Sequence, residues 1–397
     1  MSTWNKVAQI RPPITTLYPF YKSDGTRETL CVSENKLQKA NDGLTPNTGT
    51  LESDTIKCLA YKNREIGDVV LIADQGRLKV YDGTNVNQVS AHTPTPSEQE
   101  NVGLNDLNSL TNFRTFVLKK DRVYAAANPA VKNRVSFSYF DPYLGYAVYD
   151  YFPATYFFDV AVEDNDEIVE LRVFRDALII FCKRSVWALL GNGATLTDLQ
   201  LIKLNVPSGC ISPGSVQEVG NNLFYLSDTN VFSLYSTEQS YIASQVVSAN
   251  VQPILQTISI ADKEKATSAF YDDKYYLSFP SGLTLVYDAV LENWTRFTNI
   301  AANSFMVLEG ELYFSHNSGF IYRFNPNIFS DDGMPIDFSM KTKILDFDFP
   351  IHRKKLRRMW LMTRQWSGYN TSHNIFATFD QYGSISLNKI TKNEGAG

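Results

Sequence analysis

Along this chain, short apolar runs are followed by a polar turn and then by a second apolar or alternating run, and the unit recurs. It is clearest from Phe270 to Phe297. There, Lys274 to Phe279 and Leu283 to Tyr287 flank a Pro280-Ser281-Gly282 turn, and the aromatic tail Trp294-Thr295-Arg296-Phe297 follows a loop of Asp, Glu and Asn. Similar pairs are Leu30–Ser33 with Leu37, Val70–Ala73 with Leu78–Tyr81, Arg122–Ala126 with Val135–Tyr139, and Ala177–Phe181 with Ser185–Leu189. Leu223–Leu226 with Val231–Tyr235 and Leu312–Ser315 with Phe320–Phe324 complete the set. Their first strands begin near residues 30, 70, 122, 177, 223, 274 and 312. The spacing is irregular but averages the roughly 40 to 50 residues of a four-stranded propeller blade.

A run that is apolar at nearly every position is a strand buried on both faces, as the middle strands of radially stacked sheets are. The pattern therefore predicts an all-β chain, an irregular six- or seven-bladed β-propeller over residues 1–330. Two packed sheets could use the same hairpins, but immunoglobulin-type sandwiches close with about 100 residues. The blade count stays open, because the unit near Leu30 could complete a blade begun at the other end of the chain. Helix signals are few. Asn101 to Asn112 suits a turn or short helix in a polar insert at about 83–112, after Pro94 and Pro96, and Ser248 to Thr257 has a helical start interrupted by Pro253.

Near residue 330 the character changes. Asn325-Pro326-Asn327 and Ser330-Asp331-Asp332-Gly333-Met334-Pro335 form a turn-rich boundary. Strand patterns follow at Ile336–Leu345, Leu356–Thr363 and Asn374–Phe379, so residues 336–397 are expected to form a small C-terminal domain resembling a β-sandwich.

Composition supports the β reading, since 13% of residues are Phe, Trp or Tyr, rings that pack well across a pleated sheet. The net charge of −5 argues against nucleic-acid binding by the whole surface, which needs dense Lys and Arg. The four cysteines, Cys31, Cys58, Cys182 and Cys210, have no paired short spacing and read as buried thiols in a reducing cytoplasm. Neither a signal-peptide pattern nor a run of about 18 apolar residues is found, so a soluble protein without a membrane partner is expected.

Catalytic raw material is thin. His92, His316, His352 and His373 are isolated, and Gly191-Asn192-Gly193 lacks the remainder of a phosphate loop. Carboxylates cluster at Glu163-Asp164-Asn165-Asp166-Glu167, Asp272-Asp273 and Asp331-Asp332, each in a turn, where Asp and Asn are expected for backbone reasons. No enzyme, cofactor or metal site is expected. The alternative reading, a carbohydrate-binding or glycoside-hydrolase propeller, would need acids and arginines at one mouth with exposed aromatic rings.

One cluster stands apart. His352-Arg353-Lys354-Lys355-Leu356-Arg357-Arg358-Met359-Trp360 holds five cations and no acid, leaving about −10 on the rest of the chain. Such a stretch is either a charged edge strand that discourages wrong pairing or a contact with phosphates or an acidic neighbour. The candidate DNA or subunit contacts are Arg353, Lys354, Lys355, Arg357 and Arg358.

Several stretches together resemble the phage packaged-DNA stabilisation and tail nozzle proteins. These are Leu171–Phe181 with Ser185-Val186-Trp187, Gly209–Val216 through Gly220–Ser227, Tyr287-Asp288 before Trp294, and Thr342–Phe349 with Arg353–Arg358. The resemblance runs from about residue 28 to about 380, with the polar insert and a short C-terminal domain as departures. It implies a structural virion protein of a bacteriophage tail, assembled in the host cytoplasm. It further implies a homo-oligomeric ring, a hexamer, forming part of the DNA exit channel below the portal and its adaptor. Such a ring retains packaged DNA, touches it in transit, and docks tail fibres, spikes or a needle.

Overall fold

The computed structural model describes residues 4–336 apart from 11–12, 41–45, 64–66, 108–111, 121, 142–145, 148, 192–197, 238–241, 326, 329 and 335, together with residues 371–378 and 384–392. The chain divides into two compact units, residues 1–336 and 337–397.

The first unit opens with strand β1 (Trp4–Gln9) and then builds four-stranded antiparallel sheets in sequence order. Blade 1 is β2 (Thr16–Tyr21), β3 (Arg27–Ser33), β4 (Lys36–Lys39) and β5 (Pro46–Thr50). Blade 2 is β6 (Lys57–Asn63), β7 (Gly67–Ala73), β8 (Lys79–Tyr81) and β9 (Val86–Gln88). Blade 3 takes β10 (Thr115–Lys119), β11 (Arg122–Ala126) and β12 (Arg134–Phe137), detours through the small hairpin β13 (Phe140–Asp141) and β14 (Tyr146–Ala147), and ends with β15 (Phe157–Asp159). Blade 4 is β16 (Ile168–Phe174), β17 (Ala177–Cys182), β18 (Val186–Leu190) and β19 (Gln200–Lys203). Blade 5 is β20 (Gln217–Val219), β21 (Asn222–Leu226), β22 (Val231–Ser236) and β23 (Ile242–Val246). Blade 6 is β24 (Thr267–Tyr271), β25 (Lys274–Ser278), β26 (Thr284–Asp288) and β27 (Asn293–Phe297). Blade 7 is β28 (Ser304–Leu308), β29 (Glu311–Ser315) and β30 (Phe320–Phe324), with β1 as its fourth strand.

The unit is a seven-bladed β-propeller closed by its own N-terminal strand. The unit near Leu30 is the middle of blade 1, and it is β1, upstream of that unit, that completes the last blade. Trp4 anchors the closure, buried edge-on against Phe314 at 5.7 Å and Tyr322 at 4.8 Å. Each recurring hairpin supplies the two middle strands of a blade, and β11 and β17 are buried at every position. The core consists of apolar layers between successive blades, such as Ile179, Phe181, Val186 and Ala188 against Val216, Leu223, Tyr225 and Leu234. First strands of successive blades are neighbours around the axis, as β2 with β6 and β28, and β10 with β6 and β16.

The connections differ from expectation in two places. Helix α1 (Pro96–Val102) lies earlier than the expected Asn101–Asn112 element. A capping box places it there: Thr95 Oγ1 accepts from Glu98 N at 3.4 Å and Glu98 Oε2 accepts from Thr95 N at 2.6 Å, with Pro96 opening the first turn. After blade 5, helix α2 (Gln252–Thr257) carries Pro253 in its first turn, so this proline starts the helix rather than interrupting it; α3 (Ile260–Glu264) follows. The polar insert is also shorter at its start, because Val86–Gln88 is the outer strand of blade 2.

In the second unit the described residues are the antiparallel pair β31 (Thr371–Thr378) and β32 (Ser384–Lys392). The expected strand Asn374–Phe379 falls largely on β31, whereas the expected strand Leu356–Thr363, and Ile336–Leu345 beyond its first residue, lie outside the described residues.

Candidate functional site

The basic candidates Arg353, Lys354, Lys355, Arg357 and Arg358 lie outside the described residues. The carboxylate clusters do serve as turn chemistry. Asp166 is buried and accepts from Arg184 N at 3.0 Å and Ser185 Oγ at 2.8 Å, which ties the turn before blade 4 to the turn between its middle strands. Asp272 and Asp273 both have positive φ, 49° and 55°, in the tight turn joining β24 to β25. Asp332 also has positive φ and pairs with Lys6 at 2.9 Å. His92 meets Glu98 at 3.3 Å and His316 meets Ser318 Oγ at 2.7 Å, in separate connections. Among the described residues no group of three His, Cys, Asp or Glu could hold a metal ion.

Two features went unseen in the sequence. The first is an ionic cluster where the inner strands begin. Glu170 of β16 is 2% exposed and accepts from Lys57 Nζ of β6 at 2.9 Å, from the Thr115 hydroxyl of β10, and from Leu171 N at 2.9 Å. Lys57 belongs to blade 2 and Glu170 to blade 4, so the pair meets around the axial edge of blade 3. Arg172, whose Nη2 donates to Val216 O at 3.2 Å, extends the contact toward blade 5. Burial pushes the Glu170 carboxyl up, but Lys57, Arg172 and the Thr115 bond outweigh it and hold the group below its ordinary range. Burial lowers Lys57, and the nearby Arg172 charge lowers it further against the pull of Glu170. The two cations account for the direction at Glu170, and burial, with Arg172 beside it, accounts for the direction at Lys57.

The second feature is the decorated third blade. The segment before β10 and the one between β12 and β15 are joined through Asn105. Its Nδ2 donates to His92 O and Asp150 O, both at 2.8 Å, and its Oδ1 accepts from Leu107 N at 3.0 Å and Phe152 N at 3.2 Å. Tyr151 adds a bond from its hydroxyl to Gly103 O at 2.8 Å. Beside this junction lies a cavity of about 260 Å³, lined by Asp106, Asn128, Arg134, Ser136, Tyr156 and Phe157 among others. Arg134 faces its cross-strand partner Asp159 through two bonds, 2.7 and 2.9 Å, and lies 3.6 Å from the centre of the Phe157 ring. Burial raises the Asp106 carboxyl against the opposing Arg134 charge.

No family model matches the chain, and no curated protein matches it. Solved structures share its architecture at low identity. A streptogramin B lyase superposes with a TM-score of 0.50 at 10% identity over 82% of this chain and 97% of that one. A catalytically inactive virginiamycin B lyase from Staphylococcus aureus with quinupristin gives 0.50 at 8% identity over 82% and 99%. The extracellular domain of a one-component system from B. thetaiotaomicron gives 0.53 at 11% identity over 85% and 44%. At such identities the likeness is one of fold, the β-propeller.

Proposed function

We propose that the chain is a structural, non-catalytic subunit of a bacteriophage tail, a nozzle, tail-tube or neck component that assembles as a ring of six copies. The ring forms part of the DNA exit channel, retains packaged DNA beneath the portal and adaptor, and docks fibres, spikes or a needle. Support comes from the resemblance of the blade-core and basic stretches to tail nozzle proteins, and from a self-closed propeller suited to a rigid building block.

One observation carries the reading furthest. At the axial end, where a propeller enzyme would seat a substrate, Lys57 and Thr115 both donate to Glu170, and Arg172 Nη2 donates to Val216 O. Side chains committed in this way favour a scaffold over a catalytic mouth. In the ring that the resemblance implies, the DNA path runs between the copies. An acidic chain suits such a path, since a wall that repels phosphate lets the genome slide.

The basic stretch then serves at a subunit boundary or as a local grip on DNA. Replacing Arg353, Lys354, Lys355, Arg357 and Arg358 by Ser in the phage should weaken ring assembly or genome retention. Normal particles with full infectivity would contradict the proposal.

A further inference from the structure

The cavity of blade 3 is used by neither the propeller architecture nor the tail reading, and its construction is specific. Two segments outside the blade strands are bonded to each other through Asn105 and Tyr151, and the cavity forms beside that junction. We propose that it is a binding site for one neutral sugar ring.

The lining matches the two-sided chemistry of a pyranose. Its C–H faces need apolar surface, which Val131, Pro153 and Ala154 offer, while one face of Phe157 is covered by Arg134. Its hydroxyl rim needs groups that donate and accept at short range, and Asp106, Asn112, Asn128 and Ser136 bring carboxylate, amide and hydroxyl atoms to the same space. A few placed polar groups over an apolar lining is the general form of a small-molecule site.

Charge and size narrow the class. The two charged lining residues, Asp106 and Arg134, offset each other, and the Arg134 guanidinium is already paired with Asp159, so among the described residues no lining cation is free for phosphates or acids. The guanidinium is held by Asp159 and the Phe157 ring, which fixes its orientation before a ligand arrives. A volume of about 260 Å³ lies just under the roughly 300–1,000 Å³ of drug-sized sites, which leaves room for a single ring and not for a nucleotide or peptide.

The test is saturation-transfer NMR of the full chain with glucose, galactose, mannose and N-acetylglucosamine, and with inorganic phosphate as the charged comparison. At least one sugar should bind saturably at millimolar concentration. Asp106→Ala should weaken it about tenfold or more, as expected for losing hydrogen bonds to a charged group. Ala130→Trp, placed on the exposed loop at the cavity wall, should abolish binding by filling the space, with the melting temperature confirming that the blade stays folded. Binding by none of the sugars, binding of phosphate instead, or sugar binding that survives Ala130→Trp would each overturn the assignment. The result is read on the isolated chain, so it stands or falls apart from ring assembly.

Discussion

Replacing Lys57 by Met should expose how strongly the axial cluster depends on its counter-ion. The variant keeps the aliphatic stem and removes the charge, leaving Glu170 with Thr115, Leu171 N and the nearby Arg172 charge in a site where it is 2% exposed. Breaking a buried pair from one side costs about 3–5 kcal/mol. Lys57 is itself about a quarter exposed, which favours the lower end of that range. A second limit comes from protonation. At about 1.36 kcal/mol per pH unit, protonating a carboxyl with an ordinary pKa of 4.5 at pH 7 costs about 3.4 kcal/mol, and the stranded Glu170 can take that route. Both estimates place the loss at about 3 kcal/mol.

The pH dependence gives the sharper signature. In the parent protein the folded Glu170 pKa is depressed, so its contribution is present above the ordinary value and is lost as pH falls through the folded one. Without Lys57 only Arg172, Thr115 and Leu171 N oppose burial, so the folded pKa should rise from its depressed position, and the variant's folded state then binds a proton at higher pH than the parent's, which shrinks the loss as the pH falls. Urea unfolding followed by tryptophan fluorescence at pH 7, 6 and 5 should therefore show the gap between variant and parent narrowing with acidity. A gap that stays constant over that span, or is under about 1 kcal/mol at pH 7, would refute the claim that Lys57 holds the carboxylate.

Three further outcomes follow from the fold. Trp4→Ala should cost about 3–5 kcal/mol and speed amide exchange in β1, β29 and β30 before the other blades, because this ring anchors the closing strand; uniform exchange would argue otherwise. Asn105→Ala should release the decoration of blade 3, so limited proteolysis should cut within residues 89–114 while blade 1 stays intact. Burial pushes the thiols of Cys31, Cys182 and Cys210, and of the half-buried Cys58, to about 12, so a thiol reagent at pH 8 should find the three buried ones slow in native protein and fast in urea; equal rates would contradict their burial.

What the sequence discloses follows from what each strand faces. The middle strands, such as Ala177–Cys182 and Val69–Ala73, touch apolar layers on both sides and read as continuous apolar runs. Outer strands are half exposed and short, so Val86–Gln88 reads as part of a polar insert and Trp4–Gln9 gives no strand signal until the ring is seen to close on it. That closing strand is also what settles the blade count at seven. Lys57 and Glu170 are 113 residues apart, and no spacing rule brings them together. Asn105 is equally silent, because its role depends on a segment more than forty residues away. The carboxylate turns were legible, since Asp at positive φ in a tight turn needs no partner from elsewhere in the chain.

The central claim of a ring-forming tail subunit is tested most directly by the mass of the purified full chain. Light scattering should be run with and without the portal or adaptor, and any large species imaged by negative stain. The account predicts a closed ring of six copies, alone or on the partner, with the DNA path between propellers. A chain that stays monomeric with every head-to-tail partner would contradict it.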